Sequence, residues 1–210
     1  MINLEDYFEK GYSITTLPNN ILPKLWLEIY GVNWVSDNSS VYKSTPEWYI
    51  PTRIYQDLEE DGDEQNLVER AYGDDLIKNA PESLKQIANE IIHQQYFDPL
   101  RSLKHKSTLK YLHLWNGSED IPWHMDTIDS SDTLIFIYVT EELFWQSEWG
   151  GSLGIRKELN NGTMYETTIL PNSGTMVIIN NTNPLIKHKV ESLRNKEVNR
   201  YTFSMCFTWE

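Results

Sequence analysis

A mainly β fold with flanking α-helices is predicted by three features of the second half of this chain. Residues 133–140 are a β-branched and aromatic run of strand length, and residues 174–179 are another. Asn160-Asn161-Gly162 separates two further strand-like stretches, 152–159 and 163–170, and Asn-Gly supplies the positive φ angles that a tight hairpin turn requires. Residues 200–207 alternate polar with large apolar side chains, so one face of that strand enters a core while Arg200, Thr202, Ser204 and Cys206 share a pocket face.

The first half reads as an α/β support, 1–107, for a β core at 108–208, the whole chain 1–210 forming one domain. Asn20 precedes Ile21-Leu22-Pro23, and Leu22, Leu25, Trp26 and Ile29 recur at helical spacing, which predicts a capped amphipathic helix. A second helix is expected over 81–96 with Leu84, Ile87, Ala88 and Ile91 on its buried face. Residues 36–44 read as a polar loop or strand connection, and residues 108–115 as the first strand of the core. No repeat and no low-complexity linker interrupts the chain.

Composition narrows the setting. A chain of 210 residues buries a real core without disulfides, and Cys206 is its one cysteine. The first residues lack the basic and apolar regions of a secretory signal, so the expected location is cytoplasmic and the N-x-S/T matches at Asn38, Asn116, Asn161 and Asn180 are chance. None of the apolar runs is long enough to cross a membrane as a helix. A net charge of -13 repels phosphate backbones and argues against nucleic acid as a partner. The acidic stretch 57–64 is read as a solvated loop; it fails as a calcium loop because Glu59 takes the third position and Val68 the closing glutamate position.

Chemistry is carried by His124-Met125-Asp126 and the distant His188. In an extended segment residues i and i+2 project to the same side, so His124 and Asp126 converge on one ion while Met125 points away. With His188 from another strand they make two imidazoles and one carboxylate, the facial set that binds non-haem Fe(II) and leaves coordination positions open.

In sum, these residues resemble the double-stranded β-helix (jelly-roll) core of the 2-oxoglutarate and Fe(II)-dependent dioxygenases, in their prolyl 4-hydroxylase-like branch. The resemblance covers about residues 108–208. It rests on His124-Met125-Asp126, on Trp149-Gly150-Gly151-Ser152-Leu153 for GG-x-L, on Pro171-Asn172-Ser173-Gly174-Thr175 for P-x-x-G, on His188-Lys189-Val190 for the distal H-x-V, and on Arg200. Two departures stand out. Arg200 follows His188 by 12 positions, a little more than the family's usual spacing, which points to a longer hairpin loop through Asn195-Lys196; and Tyr138-Val139-Thr140 replaces the commoner Y-L-N.

The resemblance implies a hydroxylase with Fe(II) held by His124, Asp126 and His188, 2-oxoglutarate as co-substrate and O2 as oxidant, releasing succinate and CO2. No catalytic residue beyond the metal ligands is implied. Arg200 would clamp the remote carboxylate of 2-oxoglutarate through two parallel charge-assisted bonds, with Ser204 as a hydroxyl donor on the same face. Tyr111 and Tyr138 are further expected co-substrate contacts, and Trp115 and Trp123 expected walls of the substrate entrance. The leading substrate is a peptidyl proline or similar amino-acid side chain, with a free amino acid or other small molecule as the alternative; the loops 37–53, 57–75 and 141–149 that would choose it carry no readable code. An acidic surface favours a neutral or cationic substrate.

Other readings remain open. A cupin-type isomerase has no need of Arg200, and a non-enzymatic jelly-roll binding protein would take up no iron. A nucleic-acid demethylase usually places a second arginine where Cys206 stands. His93, His105 and His113 are read as surface, capping or strand residues rather than ligands.

Overall fold

The structure is a computed structural model that describes residues 5–36, 42–49, 77–103, 106–125, 133–142, 144–159 and 161–209. Asp126, His105, Asn160, the acidic stretch 57–64, and most of the loops 37–53 and 57–75 therefore lie outside the described residues. No helix among the described residues is long and apolar enough to cross a membrane.

In chain order the strands are β1 (Tyr12–Thr16), β2 (Trp34–Ser36), β3 (Ser44–Pro46), β4 (Ser107–Asn116), β5 (Ile121–His124), β6 (Thr133–Thr140), β7 (Leu153–Glu158), β8 (Met164–Ile169), β9 (Thr175–Asn180), β10 (Ile186–Val190) and β11 (Arg200–Trp209). The helices are α1 (Leu22–Gly31), α2 (Glu82–Ile92) and α3 (Asp98–Leu103). Two antiparallel sheets result: a seven-stranded one in the order β1-β9-β6-β11-β4-β3-β2 and a four-stranded one in the order β5-β10-β7-β8. This is the jelly-roll core, extended at both edges of its larger sheet by strands from the first half of the chain.

Side-chain alternation divides the larger sheet between two cores. One face sends Leu112, Leu114, Ile135, Ile137, Met176, Phe203 and Met205 into a cluster with Leu25 and Ile29 of α1 and Leu84 and Ile91 of α2. The other sends Trp115, Phe136, Tyr138, Val177 and Cys206 toward Leu153, Ile155, Ile186 and Val190 of the smaller sheet. All of β6 is buried because it lies between these two cores, which is why 133–140 reads as an unbroken apolar run. Deleting a side chain such as Leu84 from the first cluster would cost about 2–5 kcal/mol.

Two expectations need correction, and a third holds. The second helix stops at Ile92, not near Tyr96: His93 ends it, a short 3-10 turn covers Gln95–Phe97, and Asp98-Pro99 starts α3 with proline in the first turn, where its missing N–H costs nothing. Asn20 does not cap α1; the helix has no side-chain cap bond, and Asn20 Nδ2 donates to Glu90 Oε1 at 3.0 Å instead, tying α1 to α2. The 36–44 connection is bounded by a strand pair, with Trp34 in register with Pro46 and Ser36 with Ser44. Elsewhere the strands fall where expected: Gly162 turns the β7–β8 hairpin at φ 79°, and Gly174, at φ 81°, turns the chain into β9.

Candidate active site

His188 on β10 pairs directly with His124 at the end of β5, and the two rings lie 4.2 Å apart between centroids with a tilt of 54°. His124 Nδ1 lies 2.8 Å from the Pro122 carbonyl. A carbonyl only accepts, so Nδ1 carries the proton and Nε2 is left as the ligand nitrogen, the tautomer a metal site requires. His188 is buried, with Phe136 packed on it at 5.5 Å between centroids. Among the described residues no third carboxylate or thiolate joins the two rings, and the third expected ligand, Asp126, lies outside them. Two converging imidazoles followed within two residues by an aspartate fit a divalent ion of the Fe(II) type.

Across from the rings, β11 is flanked by β4 and β6, and their pairing sets out rows of inward side chains. Ser204 pairs with His113 and Phe136, and Phe136 touches His188, so this row lies at the level of the histidines. The next row is Trp115, Thr202 and Tyr138, and the next carries Arg200 beside Thr140. Each row is about 7 Å from the last, two residues along a strand. The backbone of Arg200 therefore lies two rows, about 14 Å, along the strands from the histidine level, and its long side chain is what could reach back toward a dicarboxylate there.

The donors along that path are unsatisfied. Ser204 Oγ, Thr202 Oγ1, Trp115 Nε1 and Arg200 Nε are buried and have no hydrogen-bond partner among the described residues. Each such orphan costs about 1–3 kcal/mol, and a carboxylate offers roughly four acceptor sites to match them. The lining therefore fits 2-oxoglutarate. Thr202 was not singled out by sequence beyond its place on the pocket face, and Trp115 belongs to this path rather than to the rim; the signal for both is strand register, legible only once β4 and β11 are paired.

Arg200 is fully buried. Its Nη1 donates to the Gly151 carbonyl at 2.5 Å and its Nη2 to Ser118 Oγ at 2.8 Å, both neutral acceptors. Burial pulls its pKa down to about 10, with the Tyr138 and Tyr42 phenols pulling the other way. Tyr138, equally buried, has its hydroxyl pushed well above the usual tyrosine range by desolvation, so it stays protonated and a donor. The extra length between His188 and Arg200 is taken up by a turn through residues 195–199, where Lys43 Nζ donates to the Lys196 carbonyl and to Asn199 Oδ1, both at 3.0 Å, and Glu197 N donates to Asn195 Oδ1.

The remaining expected residues divide. Tyr111 faces the interior, but its hydroxyl is bonded to His113 Nδ1 at 2.6 Å. His113, read from sequence as a plain strand residue, is fully buried in the barrel wall and stacked on Tyr49. Trp123 does not line the entrance. Strand alternation places it on the opposite side of β5 from His124, on the outer face of the smaller sheet, where Arg156 and Lys189 sit over its ring at 4.7 and 5.1 Å. His93 caps α2 through Asn89, as expected of a surface histidine.

The sequence matches the family model of the 2OG-Fe(II) oxygenase superfamily over residues 109–208. Those residues belong to that superfamily. The match makes this a dioxygenase of the Fe(II)- and 2-oxoglutarate-dependent type, with O2 as co-substrate. A search of curated proteins finds no significant match. Solved structures share the fold: a prolyl 4-hydroxylase from Pseudomonas putida at 16% identity and TM-score 0.51, covering 99% of this chain and 97% of that one. A prolyl hydroxylase from Trichoplax adhaerens, in complex with a hypoxia-inducible-factor peptide, aligns at 13% identity and TM-score 0.54 over 99% and 87%. HygX from Streptomyces hygroscopicus, with nickel, 2-oxoglutarate and hygromycin B bound, aligns at 9% identity and TM-score 0.53 over 99% and 87%.

Proposed function

We propose that this oxygenase hydroxylates a peptidyl proline or a similar amino-acid side chain, with Fe(II) held by His124, Asp126 and His188 and 2-oxoglutarate held along Ser204, Thr202, Trp115 and Tyr138 to Arg200. The observation that carries the reading is the row of orphaned donors running from the level of the two histidines to a buried arginine that has no acid partner among the described residues. Bound there, Fe(II) with 2-oxoglutarate and O2 supplies the oxidation, one oxygen atom entering the substrate and the other leaving in succinate as CO2 is released.

The chain's own residues do the rest. Pro122 holds the His124 ring by its Nδ1–H, and Phe136 packs the His188 ring, so both nitrogens stay aimed without further ordering. Arg200 brings a full positive charge and leaves the remote carboxylate little water to compete with. Tyr138 and Thr202 give hydroxyl donors and Trp115 an indole N–H, fixing the co-substrate in one orientation.

Peptidyl proline is favoured over small molecules because two of the similar structures are prolyl hydroxylases and one holds a peptide. The HygX likeness, with hygromycin B bound in that protein, supports the small-molecule reading. A cytoplasmic setting fits a chain with a single cysteine, the buried Cys206. Anaerobic loading with Fe(II) and 2-oxoglutarate, then exposure to O2 with proline peptides and free amino acids, tests the function. A gain of one oxygen in a peptide with matching succinate supports the reading; a wild-type protein that binds metal but no 2-oxoglutarate overturns it.

A further inference from the structure

The guanidinium of Arg200 is anchored at two of its nitrogens and open at the third. Nη1 donates to the Gly151 carbonyl and Nη2 to Ser118 Oγ, whereas Nε, equally buried, has no partner among the described residues. Nε and Nη2 share one edge of the planar group. That edge therefore keeps the hydrogen on Nε and the second hydrogen on Nη2 for a ligand. Ser118 is placed by its backbone. It follows Gly117, at φ 57°, in the turn that leaves β4; the Gly117 N–H donates to the Arg200 carbonyl at 2.8 Å, and the Ser118 carbonyl accepts from the Leu193 N–H at 3.0 Å. A Cβ at Gly117 would meet Lys43 Cβ at 3.1 Å and Leu193 Cδ2 at 3.2 Å, so the turn is packed as well as bonded. Ser118 is itself buried. As a neutral acceptor it fixes the fork without cancelling its charge, as a carboxylate would, and accepting leaves the hydroxyl's own proton to be donated. Ser204, expected from the sequence to give a hydroxyl to the remote carboxylate, stands instead in the row of His113 and Phe136, two rows from Arg200.

We propose that Ser118 is a positioning residue of the co-substrate seat: it turns the Arg200 guanidinium so that its Nε–Nη2 edge meets the remote carboxylate of 2-oxoglutarate, and it donates its own hydroxyl proton to that carboxylate. The inference rests on the reading of Arg200 as the co-substrate arginine. It moves the role expected of Ser204 to the turn after β4, and leaves Ser204 to the keto-acid end beside the histidines. It also gives the serine of the Asn116-Gly117-Ser118 triplet a part in the site.

The test compares two keto acids on Zn(II)-loaded protein by ligand-observed NMR: 2-oxoglutarate, and 2-oxopentanoate, which has the same keto-acid end but a methyl in place of the remote carboxylate. Wild type should prefer 2-oxoglutarate strongly. Ser118→Ala should weaken 2-oxoglutarate by about 10- to 100-fold, the scale of one hydrogen bond to a charged group, and leave 2-oxopentanoate within about 2-fold. Ser118→Cys keeps the volume but accepts and donates weakly, so it should lose part of the same preference and carries the test if the alanine variant fails to fold. A merely structural Ser118 would move both keto acids together. Equal loss of both, or loss of neither, in a folded Ser118 variant overturns the inference and leaves the proposed function standing. A wild type that binds the two keto acids alike, or binds neither, overturns the co-substrate reading of Arg200 and the inference with it.

Discussion

Gly151 and Arg200 share one space at the closed end of the site. Gly151 sits at φ 71°, its carbonyl accepts from Arg200 Nη1, and a Cβ built on it would lie 3.1 Å from that same Nη1. The glycine of the GG-x-L motif is therefore a shaping element of the arginine's seat. Its neighbour Gly150, also at φ 71°, passes so close to Ser192 that a Cβ there would meet the Ser192 carbonyl at 2.2 Å.

Gly151→Ala should accordingly cost about 1–2 kcal/mol in stability from the left-handed backbone alone. Because the added methyl presses on Nη1, 2-oxoglutarate affinity should fall while divalent-metal affinity holds. Calorimetry with metal first and 2-oxoglutarate second separates the two. Equal losses for both ligands would mean that the whole barrel has shifted.

The paired histidines make the metal prediction. His124→Ala or His188→Ala should abolish tight binding of Fe(II) or Co(II) and succinate formation while leaving the sheets intact by circular dichroism, since neither ring belongs to an apolar core cluster. Asp126→Ala should do the same. Near-normal turnover with intact metal uptake in any one of the three removes that residue from the ligand set.

How much of this was legible follows from which signals are local. The β6 run, the Asn-Gly hairpin and the alternation of β11 depend on neighbours in sequence, and each landed within a residue or two. The end of α2 did not, because Gln95, Tyr96 and Phe97 continue a helical-looking pattern that Asp98-Pro99 resets. Among the candidate site residues, the meeting of His124 and His188 was anticipated because metal chemistry restricts residue type at fixed spacing, and Arg200 was singled out for the same kind of reason. Thr202 was not, since its importance comes from facing Trp115 across two strands far apart in sequence. Trp123 was misread for a related reason: proximity to His124 in sequence becomes opposition of faces in a strand.

Thr202→Val should have effects of opposite sign on stability and binding. Its hydroxyl is buried and without a partner among the described residues, so an isosteric methyl removes a desolvation cost of about 1–3 kcal/mol and should raise the Tm of the ligand-free protein. The same change should weaken 2-oxoglutarate several-fold. A lowered Tm would show that the hydroxyl is engaged structurally and not held for a ligand.

Arg200→Ala should leave metal binding nearly intact yet weaken 2-oxoglutarate by about 2–4 kcal/mol, the scale for losing one partner of a buried charge-assisted pair. Lysine should restore part, because a point charge cannot reproduce the planar fork. The pH dependence has a definite sign. Burial lowers the pKa of this cation in the folded, ligand-free protein to about 10, so the folded state sheds its proton before the unfolded one, and the linked stability gain comes only as pH rises above about 10. Below that the guanidinium is charged, and a bound carboxylate raises its pKa further. Between about pH 6 and about pH 9, then, wild-type 2-oxoglutarate affinity should show no step that Arg200→Lys removes. Calorimetry across that range on Mn(II)-loaded protein decides it: a titration step lost in the lysine variant would mean that the arginine changes charge at neutral pH, and an alanine variant with unchanged affinity would return Arg200 to an ordinary buried donor of Gly151 and Ser118.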